Sequence, residues 1–597
     1  MRYMLAKNGS SQWRIIMPHP THETVKLAAH ELHHFLMEVC GASLPTQTDM
    51  QPYAEMELLV GRSTRLEHYG IEVDWESLGE EEYVFKTGEH YILLAGATPR
   101  ATLYAVYAFL EEVIGIRWFA SDCTSIPKTA CLEIEVSDRQ EGPAFESREA
   151  YWSDAFDGKY AVRNRMNSNK ADISIRQGGR MKFHMFHHSF DELLPAKEYF
   201  AEHPEYYALV DGKRLGTKTQ LCLTNPDVVR LSIQKVKQWI RENPDCRVFS
   251  VAQNDRRNFC TCPACAALDE REESHAGTMI AFVNQIAEAI EGEHPDVLIH
   301  TFAYQYTRKA PKTIKPRKNV IVRLCSIECC FSHPLDGGLL EPLHQDSNIE
   351  IGRAKQCAAR KETAFLEDLK DWSKICQHLY VWDYVTMFSE YLMPFPNFDV
   401  LAKNLQLFKK IGVAGVLEQG NFSQGGGGHL AELQAYLQAK LMWNPDCDME
   451  RHMNEFLHGY YGADAAPHIR EYIELWQRAA RPWHVGIFER PNAKWVTDET
   501  IEKAMEILGT ASWLTKNPEQ KARIEKLILG MDYLIIARMP VNTPGRNALI
   551  ARFGWKQRML GITEIHERWP LEAALDWLKT HELDEKRERL LTSDYKM

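Results

Sequence analysis

Short apolar runs alternate with amphipathic segments between residues 145 and 443. Apolar, β-branched runs are the pattern of buried strands, and apolar residues spaced three or four positions apart predict helices. Strands are predicted at residues 145–152, 182–189, 220–223, 247–252, 297–304, 320–327, 378–382 and 412–417, and helices at 227–241, 278–291, 358–376, 398–409 and 429–441. This alternation predicts an α/β fold with a (β/α)8 TIM-like barrel. A doubly wound open sheet is the alternative, because one wrongly predicted strand would change the strand number from that of the barrel.

The segments on either side of this region have different patterns. Residues 1–140 contain a helical pattern at 24–40, a strand at 57–60, a strand at 91–95 and a second helical pattern at 101–113, which predicts an N-terminal α/β accessory domain. Residues 444–597 are helical almost throughout. We therefore expect three domains, at 1–140, 145–443 and 444–597, in keeping with a prior of roughly 150 residues per domain. The first domain shows no carboxylate cluster or metal-ligand spacing, so we expect it to support the barrel.

Composition and charge exclude several classes of partner. The net charge is -12 and the basic residues form no stripe, which argues against nucleic acid. No apolar run approaches the roughly 18 residues of a membrane span, and the first residues lack the pattern of a secretory signal. A cytoplasmic location is therefore expected, with the 14 cysteines mostly as reduced thiols. A homo-oligomer is left open.

Polar and aromatic residues follow the predicted strands at the point where each strand ends. In parallel α/β folds ligands bind beyond the carboxyl ends of the strands, so these residues are candidates for a site. The candidate carboxylates are Asp255, Glu328, Asp383 and Glu418, and the neighbouring candidates are Trp152, His187, Asn254, Arg256, Tyr304 and Trp382. Carboxylates beside Trp and Tyr predict a carbohydrate cleft, because glycoside hydrolysis needs a carboxylic acid and a second group while aromatic faces hold the sugar. The simpler alternative for each carboxylate is that it stabilises a loop by accepting hydrogen bonds from backbone N–H groups.

Three cysteines, Cys260, Cys262 and Cys265, form a CxCxxC pattern in the loop after the fourth predicted strand. Thiolates at this spacing can bind zinc, but a structural site needs four ligands. The fourth would come from another Cys or a His elsewhere in the chain. The alternative is reduced thiols that only pack. Catalysis itself is expected to need no cofactor.

Several segments resemble the bacterial proteins grouped as domain-of-unknown-function family 4838, part of which forms glycoside hydrolase family 163. The similar segments are HPEYYAL at 203–209, QLCLTNP at 220–226, the Asn254-Asp255 pair with the CxCxxC pattern, and YVWDY at 380–384. LLVG at 58–61 and ATLYAVYAFLE at 101–111 are similar to the N-terminal domain of hexosaminidases and α-glucuronidases. The resemblance implies a retaining β-N-acetylglucosaminidase that uses the substrate's own acetamido oxygen as the nucleophile. On that mechanism Glu328 is the candidate acid/base, and Asp255 or Asn254 orients the acetamido group.

One departure from the family pattern keeps a second function open. Asp255 is followed by Arg256 and Arg257, and two guanidinium groups could bind the carboxylate of a uronic acid. The alternative is then an α-glucuronidase-like hydrolase with an inverting pair drawn from the four strand-end carboxylates. A non-catalytic carbohydrate-binding protein is the third hypothesis. In each case the expected partner is a short oligosaccharide.

Overall fold

The structure is a computed structural model that describes residues 1–337 and 362–581. The described residues group into two compact units. The first contains residues 1–150, 154–180 and 432–460, and the second contains 151–153, 181–431 and the residues from 461 onward. The three-domain division at 1–140, 145–443 and 444–597 stays a prediction, and its last segment extends beyond the last described residue.

The first unit is built around a mixed six-stranded sheet. The strand order is Arg139–Glu141, Tyr83–Gly88, Tyr91–Gly96, Met56–Val60, Trp13–Met17 and Thr46–Thr48. The helix Glu23–Cys40 buries Val25, Leu32 and Leu36 in the core of this unit, and it ends at Gly41, whose φ of 70° is readily adopted by glycine. Its other helices are Arg65–His68, Pro99–Ala108, Gly158–Arg163, Ala431–Trp443 and Met449–Phe456, with two strand pairs, Arg2–Lys7 with Cys131–Glu135 and Arg117–Ala120 with Cys123–Ser125.

A curled sheet of seven strands has six of them in the second unit, and its seventh, Ser147–Tyr151, reaches that unit only at Tyr151. Its order is Ser147–Tyr151, Gly415–Gln419, His378–Tyr384, Val320–Cys325, Leu298–Ala303, Val248–Ser250 and Phe183–His184, and the last six strands pair in parallel. The α/β class and seven of the eight predicted strands are therefore present. A complete TIM-like barrel is not confirmed.

The strand predicted at residues 220–223 is wrong. Leu221 forms only an isolated bridge with Tyr207, and the Cys222 N–H donates to the Tyr206 carbonyl at 2.8 Å. Cys222 is buried in a small cluster with Ala208 and the three CxCxxC cysteines, and the segment pairs with the neighbouring loop instead of a strand of the sheet. A run of three apolar residues, Leu221 to Leu223, does not specify which partner buries it.

Helices surround the sheet as the spacing predicts. The helix Pro226–Glu242 begins with a proline after Asn225, whose side chain accepts the N–H groups of Asp227 and Val228. The other helices of the unit are Phe190–Leu193, Ala196–Tyr199, Pro263–Glu272, Ala276–Glu291, Glu362–Ser373, Phe398–Ile411, Ala466–Ala480, Asp498–Leu514, Pro518–Arg538, Arg546–Met559 and Leu571–Thr580. The first four residues of the helix predicted at 358–376 lie outside the described residues. Within residues 1–337 and 362–581, no helix combines the length and the apolarity needed to cross a membrane.

Two short hairpins complete the second unit. Leu209–Val210 pairs with Lys213–Arg214, and Glu564–His566 pairs with Trp569–Pro570. Backbone hydrogen bonds attach the second hairpin to the segment that follows the strand His378–Tyr384, from the Tyr391 N–H to the Ile565 carbonyl and from the Glu567 N–H to the Phe388 carbonyl, both at 3.0 Å.

Candidate active site

A cavity of about 510 Å³ lies where the parallel strands end. Ligand pockets commonly measure about 300–1,000 Å³ and combine apolar walls with a few polar groups. Nine aromatic side chains contribute to its wall: Tyr151, Phe186, Phe302, Tyr304, Trp382, Tyr384, Phe388, Phe422 and Phe488. Flat aromatic faces of this kind suit the apolar faces of sugar rings.

Asp255 is the carboxylate that is held most clearly within this cavity. The Tyr304 hydroxyl donates to its Oδ1 at 3.2 Å, and the Gln305 side chain donates to the Tyr304 hydroxyl at 2.9 Å. Arg256 donates to the Asp255 carbonyl at 2.8 Å. These bonds fix both the backbone and the side chain of Asp255, so its carboxylate is presented to the cavity in one orientation.

Asn254 also lines the cavity, but its side chain is used within the protein. Its amide donates to the Asp191 carboxylate at 2.8 Å and to the Thr219 carbonyl at 2.9 Å, and its oxygen accepts the Asp191 N–H at 3.2 Å. The Asn254 side chain therefore stabilises the loop, and the Asp255 carboxylate is the group of this pair that can bind a ligand.

Two histidines, His187 and His188, line the same cavity. Nδ1 of His188 lies 2.5 Å from the Gln253 carbonyl, which can only accept, so Nδ1 carries the proton in the neutral ring. Burial lowers the pKa of His188, against the opposing effect of the Asp255 charge. Nε2 of a neutral His188 is then an acceptor suited to a sugar hydroxyl. The sequence analysis selected His187 alone.

Two guanidinium groups, those of Arg256 and Arg568, line the cavity. Burial lowers the pKa of His187, and the charge of Arg568 lowers it further. Arg568 has a left-handed backbone with φ of 58°, and so does Met185, another lining residue, with φ of 54°. Such conformations cost about 1–3 kcal/mol each and concentrate at functional sites.

A third guanidinium is buried among the aromatic side chains of this region. The guanidinium carbon of Arg323 lies 4.9 Å from the ring centroid of Phe186 and 5.6 Å from that of Trp382. Both rings line the cavity. The site therefore has positive charge nearby as well as the carboxylate of Asp255.

The region after residue 461 supplies cavity residues that the sequence analysis missed. Ile487, Phe488, Glu567 and Arg568 lie in turns between the helices, where no hydrophobic period marks them. The Glu567 N–H donates to the Phe388 carbonyl, and the Phe388 N–H donates to the Ile487 carbonyl. These backbone hydrogen bonds hold the two turns at the cavity.

Glu328, the candidate acid/base, is placed outside the residues that line the cavity. Its neighbour Ile327 does line it. The Glu328 carboxylate accepts from Arg308 at 2.7 Å, and the same guanidinium bonds Asp368 at 2.7 Å. The side chain of Glu328 is 32% exposed. A general acid must reach the leaving oxygen of the bound sugar, and Glu328 is held by Arg308 outside the residues that line the cavity.

Asp383 and Glu418 lie on the other face of the sheet. Trp382 and Tyr384 line the cavity, and alternate residues of a strand point to opposite faces, so Asp383 points away from it. Asp383 is directly opposite Glu418 in the parallel register, and both are buried. Burial raises the pKa of Asp383 to about 6, and burial together with the Asp383 charge raises that of Glu418 well above its ordinary value.

Trp152 is also buried away from the cavity-lining residues. Its ring packs on Gly420 and Gly428, and a Cβ at Gly420 would lie 2.1 Å from the ring. Trp152 is therefore a packing residue of the loop that follows the strand Gly415–Gln419. Of the predicted site residues, the cavity brings together His187, Asn254, Asp255, Arg256, Tyr304 and Trp382.

The three cysteines of the CxCxxC pattern converge with a fourth, Cys222. All four are buried, and their sulfur atoms lie within 4.8 Å of one another. Cys222 lies in the segment that was predicted as a strand. These residues could hold a metal ion.

Two family models match the chain. The model described as "Domain of unknown function (DUF4838)" matches residues 118–474, and the model described as "Glycosyl hydrolase family 67 N-terminus" matches residues 4–109. No curated protein matches the chain. The relation to glycoside hydrolase family 163 stays a prediction.

Solved structures of three proteins are similar to this chain. A family GH115 4-O-methyl-α-glucuronidase with specificity for decorated arabinogalactans has 12% identity and a TM-score of 0.54, covering 95% of this chain and 78% of that one. A GH138 enzyme targeting pectin rhamnogalacturonan II has 10% identity and a TM-score of 0.44, covering 98% and 80%. CpGH84B has 12% identity and a TM-score of 0.47, covering 97% of each chain. At 12% identity the similarity to the GH115 enzyme shows a shared fold alone. The TM-scores of the other two structures are below 0.5, and nothing is inferred from them.

Proposed function

We propose that this chain, which belongs to the DUF4838 family, is a glycoside hydrolase whose active site is the cavity around Asp255. The observation that carries the proposal is a carboxylate fixed by Tyr304 in an aromatic-walled cavity at the carboxyl ends of parallel strands. The match to the family 67 N-terminus and the fold shared with a GH115 enzyme support the same class of reaction.

The cavity supplies the groups that glycosidic cleavage needs. One carboxyl group must protonate the leaving oxygen, and a second must stabilise or attack the positively charged sugar centre. Asp255 has the second role, because the hydrogen bond from Tyr304 holds its carboxylate in one orientation within the cavity. Among the described residues, the proton donor is drawn from Glu192 and Glu567, the lining carboxyls besides Asp255 and the Asp191 group that binds Asn254. The face of Trp382 holds the sugar ring.

The first candidate substrate is a β-N-acetylglucosaminide, cleaved with retention. The Asp255 carboxylate can accept the N–H of the substrate's acetamido group while the acetamido oxygen attacks the anomeric carbon. The Tyr304 hydroxyl donates to Asp255 at 3.2 Å and so keeps the carboxylate oriented toward this N–H. An acceptor placed at the acetamido N–H favours the oxazolinium intermediate as its positive charge develops.

The second candidate substrate is a uronic-acid glycoside of the kind that an α-glucuronidase cleaves. It is favoured by Arg256 and Arg568, which line the cavity together. Guanidinium groups recognise carboxylates by paired, charge-assisted hydrogen bonds. On this alternative the arginines select the sugar, and Asp255 keeps its place in the chemistry.

The experiment is hydrolysis of an aryl β-N-acetylglucosaminide and an aryl α-glucuronide by the wild-type protein and by Arg568→Met. For a uronate substrate we expect Arg568→Met to raise KM by about tenfold or more, since a charged hydrogen bond contributes about 1.5–3 kcal/mol. For an N-acetylglucosaminide we expect little change. Arg552→Met is the matched control, because Arg552 is an exposed arginine of the same region. Failure to bind or cleave any glycoside of a broader aryl panel would contradict the proposal.

A further inference from the structure

We propose that Cys222, Cys260, Cys262 and Cys265 form a structural Zn²⁺ site that fixes the loop carrying Asp255. The four thiols are contributed by two segments with 37 residues between them in the chain, and the fold brings them together. They are not among the residues that line the cavity, so metal binding can be tested without measuring hydrolase activity.

The spacing of the sulfur atoms fits one tetrahedral metal ion. A Zn–S bond of about 2.3 Å gives about 3.8 Å between sulfurs at the corners of a tetrahedron. The Cys222 and Cys262 sulfurs are 3.7 Å apart, and the whole set lies within 4.8 Å. An iron–sulfur cluster places several atoms between its thiolates and would hold them farther apart. A disulfide needs about 2.05 Å between two sulfurs and would leave the other two thiols unused.

The surroundings of the thiols also fit bound thiolates. The Leu209 N–H donates to the Cys260 sulfur at 3.4 Å, and the Arg214 guanidinium approaches the same sulfur at 3.7 Å. The Thr224 hydroxyl lies 3.2 Å from the Cys265 sulfur. Four thiolates around Zn²⁺ carry a net charge of -2, which N–H donors and a guanidinium stabilise in a buried site.

The helix Pro263–Glu272 begins at this cluster. Cys262 is its N-cap residue and Cys265 lies in its first turn. The positive end of the helix dipole is therefore at the cluster, where it stabilises the net negative charge of a four-thiolate zinc site. Zinc binding releases the thiol protons to solvent.

The site is joined to the cavity through Gln220, which is two residues before Cys222. The Gln220 amide donates to the carbonyls of Asn254 and Arg256 at 2.8 and 2.7 Å, and its oxygen accepts the Asn254 N–H at 2.9 Å. The 220–222 segment is therefore hydrogen-bonded to the loop on both sides of Asp255. A metal ion bound by Cys222 and by the CxCxxC cysteines links the 220–222 segment to the chain that follows Asp255. This link keeps Asp255 in its position.

The first test is metal analysis of the purified full chain. We expect about one zinc per chain in the wild-type protein and a loss of at least about fivefold in Cys222→Ser. Cys376→Ser is the matched control, because Cys376 is a buried thiol of the same unit outside the cluster, and it should keep the zinc. Iron at one per chain, or equal zinc in Cys222→Ser and wild type, would overturn the proposal.

A second measurement covers the case in which Cys222→Ser fails to fold. Wild-type protein is stripped of metal and then titrated with Co²⁺, whose thiolate charge-transfer and tetrahedral d–d absorption bands report the ligands directly. We expect both bands to saturate at one Co²⁺ per chain and to disappear on addition of Zn²⁺. Absence of the thiolate band, with all four thiols reactive in the native protein, would overturn the site. Neither result depends on hydrolase activity, so failure here is distinguishable from failure of the proposed function.

Discussion

The buried pair Asp383 and Glu418 should make the stability of the protein fall as the pH rises. Burial raises the pKa of Asp383 from 3.8 to about 6, although the Ser326 hydroxyl and the Tyr384 N–H donate to it. The folded state thus holds this proton more tightly than the unfolded state. The stabilising contribution is complete below about pH 4 and is lost as the pH rises to about 6.

The magnitude follows from the shift. Each unit of pKa is worth about 1.4 kcal/mol, so the shift of about two units corresponds to about 3 kcal/mol. Asp383→Asn replaces the protonated acid with a neutral group of the same shape. We therefore expect the variant and the wild type to differ little at pH 4, and the variant to gain up to about 3 kcal/mol relative to wild type by pH 7.

The assay is urea unfolding of both proteins at pH 4, 5, 6 and 7, with the difference in unfolding free energy plotted against pH. Other titrating groups cancel in this difference because they are the same in both proteins. For Asp296→Asn, the same change at an exposed carboxylate, the difference in unfolding free energy should not change with pH. A flat line for Asp383→Asn as well, or one that falls with pH, would refute the argument from burial.

Two other substitutions test particular ion pairs. Glu328→Gln should keep more than about a tenth of the wild-type turnover, because Arg308 holds that carboxylate outside the cavity; a hundredfold loss of kcat with normal folding would restore Glu328 as the acid. Lys440→Met should lower the unfolding free energy of the first unit by about 3 kcal/mol in thermal denaturation, because the buried Glu111 carboxylate loses a partner; an unchanged melting temperature would contradict this.

Much of the fold was predictable because the parallel sheet is buried. Strands such as Val320–Cys325, which is apolar except for Arg323, stand out as apolar runs, and Pro226–Glu242 has the spacing and N-cap signal of a helix. The strand at 220–223 was wrong because local apolarity does not tell whether a run is buried in a sheet or beside thiols. The grouping of residues 432–460 with the first unit is a long-range feature without a local signal.

The site was predictable where its residues follow strands directly. Asp255, Tyr304 and Trp382 were found in this way. Arg568 was not, because it reaches the cavity through hydrogen bonds of a hairpin that is distant in sequence. The placement of Asp383 on the opposite face from Trp382 could have been read from strand alternation, which the sequence analysis did not apply. Cys222 had no spacing signal, since 37 residues lie between it and Cys260.

The most direct test of the account compares Asp255→Asn with Asp383→Asn on whichever aryl glycoside the wild-type protein hydrolyses. Both are aspartates at strand ends, but only Asp255 lines the cavity. We predict that kcat falls by at least about a hundredfold in Asp255→Asn and by less than about threefold in Asp383→Asn, with both variants folded by circular dichroism. Near-normal turnover in Asp255→Asn together with an inactive Asp383→Asn would contradict the placement of the active site.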